Sequence, residues 1–400
     1  MTRIAIVTPI LPVPFDIARG RFIHEQAKAL SRIADIRVFL QTARYPSIEW
    51  LKPQSYVDGR VEHATDLWEG LDVEAYSYPA IPWLTRAFNG RSGATRLLPR
   101  LRAFDPDVVV AYWAYPEGFS GVRAAHALGR PCIVGVLGSD VLTRNGILER
   151  KTRSTLHAAD AVAVVSGDLA RVVASRYGVA PERVHTIING YNTSVFRPQP
   201  QRACRAALGL REDARLLVFV GRLIEAKGLR ELLRAFNTLA AADPRVELAF
   251  VGDGVMRAEL TTLAQASPAA SRIHLAGALA PAQVAAWIGA ADVSTLPSWS
   301  EGYPNVVVEA LACGRPVVAS RVGGLPEILH ADNGILVPPR DAEALADALR
   351  DALERQWDHE AIAAAMQRTW GDVARETLAL CEALCASPAQ PSRLPASLKR

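Results

Sequence analysis

Short, continuously apolar runs alternate with helix-length stretches along nearly all of this 400-residue chain. Residues 4–8, 36–40, 108–112, 132–136 and 161–165 are strand-like, and 22–33 repeats its apolar residues with a helical period. A strand that is apolar on both faces must be covered on both, and parallel strands need long, usually helical, crossovers. The alternation therefore predicts an α/β fold with doubly wound parallel sheets. It pauses at Asn189-Gly190 and through Phe196-Arg197-Pro198-Gln199-Pro200, then resumes with strands at 216–220, 247–251, 272–275, 293–296 and 316–320 and a helix at 229–241. Two Rossmann-like domains in series are expected, 1–195 and 196–370. A crossover helix over 371–386 and a disordered tail over 387–400 follow. Open α/β sheets bind ligands at the carboxyl ends of their strands, so two such domains facing across a cleft are expected to hold a ligand between them.

Composition narrows the function classes. Half of the residues are apolar and 22% are charged, which excludes global disorder. The net charge of +4 is too small to argue for a nucleic-acid partner, and none is expected. Cys132, Cys204, Cys313, Cys381 and Cys385 are scattered, with no CxxC pair, as in a reduced protein. The N-terminal apolar run is broken by Pro9, Pro12 and Pro14 and reads as a first strand and loop, not a signal peptide. With no long apolar span, a cytoplasmic location is expected, including the inner face of the cytoplasmic membrane.

The chemistry concentrates in 298–316. Pro304 suits a first helical position and Gly314 the residue after a helix end, so a short helix is predicted over 304–313. Its free N–H groups, at a strand–loop–helix junction, favour an anion such as a diphosphate. Glu301 precedes this helix and Glu309 lies within it. A fully helical path would separate them by ~12 Å, against ~5–9.5 Å for a glycosidase pair. The stretch is not wholly helical, so distance alone does not decide. The anion-binding helix end between them favours contacts to hydroxyls of one extended ligand, one on a sugar and one on a ribose. Gly221-Arg222-Leu223-Ile224-Glu225-Ala226-Lys227-Gly228 follows a strand directly. There Arg222 can fork onto phosphate oxygens while Lys227 acts as a point charge. Gly252-Asp253-Gly254 and Arg19-Gly20-Arg21 are weaker signals of the same kind. Asp105-Pro106-Asp107 has the spacing of a metal pair but lies at the entry end of a strand, so it reads as a turn and no metal is expected. The histidines form no triad; His24 stands out because it starts a helix beside Gly20.

In these motifs the chain resembles the retaining glycosyltransferases of family 4, which have the GT-B architecture. The resemblance rests on GRLIEAKG, VGDG, ADVSTLPSWSEGYPNVVVEALACGRPVVAS and VGGLPE in the second half, and more loosely on GRFIHEQAKAL, Gly138-Ser139-Asp140 and Asn189-Gly190 in the first. It implies a nucleotide-diphosphate-sugar donor, UDP- or GDP-linked, and a saccharide or lipid-linked acceptor. Transfer would be metal-independent, without a cofactor, in bacterial exopolysaccharide or cell-surface glycan synthesis. Arg222 and Lys227 would neutralise the departing diphosphate, Glu301 would hold the donor sugar and Glu309 the ribose. Gly221, Gly302, Tyr303, Pro304, Asn305 and Val306 would line the donor site, with Leu279 near the base. Gly20 would let the chain approach a phosphate, and Arg21, His24 and Asp140 would lie on the acceptor side. Two departures from the family pattern stand out: Leu137 where many members have His, and Asn192 where many have Asp. A non-catalytic nucleotide-sugar-binding partner and a nucleotide-sugar epimerase are the alternatives.

One segment calls for a separate reading. Residues 83–104 hold Arg86, Arg91, Arg96, Arg100 and Arg102, interleaved with Trp83, Leu84, Phe88, Leu97, Leu98, Leu101 and Phe104, and no acid. The pattern fits peripheral association with an anionic membrane, or a surface helix interrupted by Gly90, Gly93 and Pro99.

Overall fold

The computed structural model describes residues 1–14, 16–46 and 65–386. The chain forms two compact units, one of Met1–Asn189 with the helix Trp370–Ala386, the other of Gly190–Thr369. The first holds a seven-stranded sheet built from β1 (Arg3–Thr8), β2 (Asp35–Arg44), β3 (Val73–Pro79), β4 (Val108–Tyr112), β5 (Cys132–Val136), β6 (Ala161–Val164) and β7 (Val184–Thr186). Its order is β3-β2-β1-β4-β5-β6-β7, and every pairing is parallel. The central runs are buried along their whole length, as in β4 and β5, because helices cover both faces.

The second unit repeats the plan with six strands. β8 (Arg215–Val220), β9 (Val246–Val251), β10 (Ile273–Gly277), β11 (Val293–Leu296), β12 (Val317–Ser320) and β13 (Gly334–Val337) lie in the order β10-β9-β8-β11-β12-β13, again all parallel. In each sheet the winding reverses direction, between β1 and β4 and between β8 and β11. There the two neighbouring loops diverge and leave a crevice at the strand ends.

The break between units falls at Asn189/Gly190, not at 195/196 as the Pro-rich stretch suggested. Tyr191 bridges to Thr369 and donates its hydroxyl to the Met366 carbonyl at 2.6 Å, and Phe196 is buried in the second core. Those contacts tie 190–196 to the second unit. Trp370 opens the closing helix, whose Ala374 and Cys381 sink into the core of the first unit with Ile4, Ile6 and Val110. Gln26 donates to Thr377 of this helix at 3.1 Å. The expected tail, 387–400, lies outside the described residues. All five cysteines are free thiols, four of them buried. Among the described residues no helix is long and apolar enough to cross a membrane.

The basic segment divides in two. Asn89–Phe104 is a helix with Leu97, Leu101 and Phe104 in the core. Gly93 sits where it crosses the helix Phe119–Ala127: a Cβ there would stand 2.4 Å from the Ser120 hydroxyl. Arg100 is tied to Glu74 at 2.8 Å and stacks over Tyr76. Leu97, Leu101 and Phe104 are thus core residues, while Trp83, Leu84 and Phe88, just before the helix, remain exposed.

Candidate functional site

Four loops gather at the carboxyl ends of β8, β9, β11 and β12, joined backbone to backbone. Leu223 donates to the Asp253 carbonyl at 2.9 Å, Trp299 to that of Ala226 at 2.8 Å, and Gly324 to that of Gly302 at 3.0 Å. Main-chain bonds of this kind demand close approach, which explains Gly323. Its φ is +54°, and a Cβ there would lie 1.9 Å from the Glu301 carbonyl oxygen. Any side chain at Gly323 would push the Glu301 loop outward.

This packing brings two of the expected residues together. Lys227, in the short turn Glu225–Lys227, places Nζ 2.5 Å from Glu301 Oε1, and both side chains are largely buried. Arg222 is exposed, and no described carboxylate pairs with it. The helix beside them is Asn305–Ala312, and no side chain caps its start. Pro304 precedes this helix as its cap with ψ 109°, a correction to the expected helix over 304–313. An extended ψ at Pro304 breaks the helical path, and Asn305 is the first residue to resume it. Gly314, at φ +74°, follows the helix end as expected. Tyr303 is half-buried, and the desolvation of its phenol pushes the hydroxyl up to about 12 and keeps it protonated. Glu309 lies on the second turn, half-buried, and Gly221, Gly302, Val306 and Leu279 are all partly exposed. The arrangement joins a cation pair, an acid and an uncapped helix start at one strand-end crevice, which suits a diphosphate ester with hydroxyls on both sides.

The first-unit residues separate. Gly20 is the left-handed residue that starts the helix Arg21–Leu30. Arg21 lies 3.9 Å from Glu25 on that helix, and the buried His24 Nε2 finds no hydrogen bond; burial lowers the His24 pKa. Asp140 requires a correction. It is fully buried, and its two oxygens accept the N–H groups of Ala114 at 3.1 Å, Leu137 at 3.1 Å and Gly138 at 2.9 Å. Burial pushes its carboxyl up against the pull of those donors. Asp140 therefore clamps the loops after β4 and β5 together and has no free oxygen for an acceptor. Leu137 lines a small recess of about 30 Å³ with Tyr112, Gln26 and Thr377.

A larger cavity, about 230 Å³, opens at the carboxyl ends of β1, β2 and β3 in the same unit. Its wall includes Arg19, Gln41, Arg86, Asn89, Glu117 and Arg144. Sequence reasoning missed Gln41, Asn89, Glu117 and Arg144. The available signals were a polar residue continuing an apolar strand run at Gln41 and an acid just past the end of β4 at Glu117. Glu117 is 5% exposed, and burial pushes its carboxyl up to about 8. Among the described residues no three His, Cys, Asp or Glu side chains gather as metal ligands.

Comparison with known proteins places these features. Residues 20–195 match the model for Glycosyltransferase Family 4, and 214–355 that for Glycosyl transferases group 1. The chain is 28% identical over 367 residues to the putative teichuronic acid biosynthesis glycosyltransferase TuaC of Bacillus subtilis, covering 90% of each. It is 34% identical over 272 residues to D-inositol 3-phosphate glycosyltransferase 1 of Catenulispora acidiphila, covering 62% of this chain and 64% of that one. Among solved structures, Anabaena HepE in complex with UDP and glucose superposes with a TM-score of 0.76 at 19% identity, over 96% of this chain and 100% of that one. Sucrose-phosphate synthase from Thermosynechococcus elongatus gives 0.75 at 22% identity, over 97% and 100%. At such identities these two likenesses speak to fold alone.

Proposed function

The chain belongs to the family 4 glycosyltransferases, of GT-B architecture, and we propose that it is a retaining hexosyltransferase using a UDP- or GDP-sugar. The acceptor is a saccharide or a lipid-linked sugar, and the product a bacterial exopolysaccharide or cell-surface glycan. The observation that carries this reading is the Lys227–Glu301 pair, set beside Arg222 and the uncapped start of Asn305–Ala312. An arriving diphosphate competes for the Lys227 ammonium. Exchange of partners then turns Glu301 toward the donor sugar hydroxyls, with Arg222 forking onto the phosphate and Glu309 on the ribose. Charge stabilisation of the departing diphosphate supplies the main rate acceleration. For retention, the acceptor attacks the face from which the phosphate leaves, and that phosphate takes the acceptor proton. Neutralisation by Arg222 and Lys227 would remove the need for a metal. The name of TuaC supports a polysaccharide product. The exposed Trp83, Leu84 and Phe88 beside Arg86 support attachment to an anionic membrane surface at its cytoplasmic face.

A donor screen tests the reading. One nucleotide-sugar at 100 times its Kd should stabilise the protein by about 2.7 kcal/mol, with EDTA making no difference. Arg222→Ala and Lys227→Ala should each slow transfer by ~10²–10³-fold. Stabilisation without transfer to any acceptor would favour the non-catalytic partner, and a rearranged donor sugar without acceptor would favour the epimerase.

A further inference from the structure

We propose that the cavity at the carboxyl ends of β1, β2 and β3 binds an acidic group of the sugar acceptor, a carboxylate or a phosphate, through Arg19, Arg86 and Arg144. The inference rests on the glycosyl-transfer reading only in calling the bound molecule an acceptor.

Three guanidinium groups share the wall of one cavity of about 230 Å³, and Glu117 is the single acid on it. Burial pushes the Glu117 carboxyl up to about 8, so around neutrality it stays protonated. Besides burial, the groups that act on it are Arg144, Asp140 and the Gln41 amide that bonds to it, and it faces the buried phenols of Tyr76, Tyr78 and Tyr115, whose own pKa values are raised. None of the phenols adds negative charge. Among the described residues no carboxylate forms an ion pair with Arg86 or Arg144, whereas most arginines of the second unit have such a partner. Arg19 is held in place through the Pro9 carbonyl at 3.3 Å. At Arg86 and Arg144 the wall therefore carries positive charge that no described carboxylate pairs, in a concave setting that concentrates its field.

Two buried amides line the same wall, and one of them has an atom without a partner. Gln41 is fully buried: its Oε1 accepts from the Tyr76 hydroxyl at 2.7 Å, and its amide also bonds to the Glu117 carboxyl. Asn89 is 7% exposed and its Oδ1 is unsatisfied. Buried polar groups are ordinarily paired, because each unpaired one costs free energy. A sugar hydroxyl can donate to the Asn89 oxygen, while an acidic substituent meets the guanidinium groups. The cavity is smaller than the roughly 300–1,000 Å³ of sites for drug-sized ligands, which suits one sugar unit.

Isothermal titration of the full chain, with UDP saturating to block the phosphate site at Arg222 and Lys227, tests this. Glucuronate and inorganic pyrophosphate are the anionic probes, and glucose is the neutral control. At least one anion should bind at least tenfold more tightly than glucose. Arg86→Gln and Arg144→Gln should each weaken it at least tenfold with UDP affinity unchanged, and Arg86→Lys should recover part of the loss. Arg86 is exposed, so its variants do not test folding. Binding of glucuronate alone identifies a carboxylated sugar, and binding of pyrophosphate alone a phosphate-linked one. If neither anion exceeds glucose in protein that binds UDP, the proposal is overturned and the transfer reading stands. Equal anion binding by wild type and by the Arg86→Gln, Arg144→Gln double variant also overturns it. If UDP fails to bind, the donor reading falls, and the same titration without UDP still decides the cavity.

Discussion

Replacing Glu117 by Gln should remove a pH dependence of stability that the buried carboxyl imposes. In the unfolded chain the carboxyl titrates near 4.5, and in the fold at about 8. Between those values the folded protein holds a proton that the unfolded chain has released. Stability contributed by Glu117 is therefore complete below the lower value, falls as pH rises, and is gone above the upper one. At ~1.4 kcal/mol per pH unit the whole window is worth at most ~5 kcal/mol. Relaxation around an ionised carboxylate, with Arg144 at hand, cuts this to ~2–3 kcal/mol. For a unit of this size that is ~5–10 °C in Tm. Gln has nearly the same shape and does not titrate. Calorimetric melting from about pH 5 to about pH 9 should show similar Tm values at the acid end. At the basic end the variant should melt ~5–10 °C above the wild type. Parallel curves across that range would refute the reasoning. They would mean that Glu117 is ionised in the fold and that the cavity wall carries a compensating negative charge.

Three further variants probe the framework. Gly323→Ala forces a Cβ against the Glu301 carbonyl at a left-handed φ, so stability should drop by ~2 kcal/mol or more and transfer should fail; an unchanged Tm would discount the packing account. Asp140→Asn weakens the clamp on Ala114, Leu137 and Gly138 and should cost ~1–3 kcal/mol while donor affinity stays constant. A selective loss of acceptor binding at full stability would instead restore Asp140 to the acceptor side. Trp83→Ser with Leu84→Ser should reduce co-sedimentation with anionic vesicles at low salt and leave binding of UDP intact. Equal sedimentation by wild type and variant would remove these side chains from any membrane contact.

Much of this protein was legible in order along the chain. Short runs such as 108–112 and 132–136 are apolar on every residue, and only a strand covered on both faces tolerates that. The parallel sheets and the two-unit plan follow from such local facts. The loops after β8 and β11 and the helix between Pro304 and Gly314 were legible too, because a glycine at a strand end and a proline or glycine at a helix end leave local signatures in the sequence. What remained out of reach was any property set by residues distant in sequence. Lys227 and Glu301 pair only because backbone bonds draw their loops together. Asp140 matches a site motif, yet its oxygens are consumed by N–H groups from two loops. Trp83 and Leu97 look alike in a basic amphipathic pattern, and the fold exposes one and buries the other. Glu117 is an ordinary acid in sequence, and its proton depends on a cavity assembled from the ends of several strands. Local sequence determined the strands, the turns and the identity of the charged groups. Burial and partner choice were decided by the tertiary structure, since desolvation and ion pairing depend on which distant segments share the space.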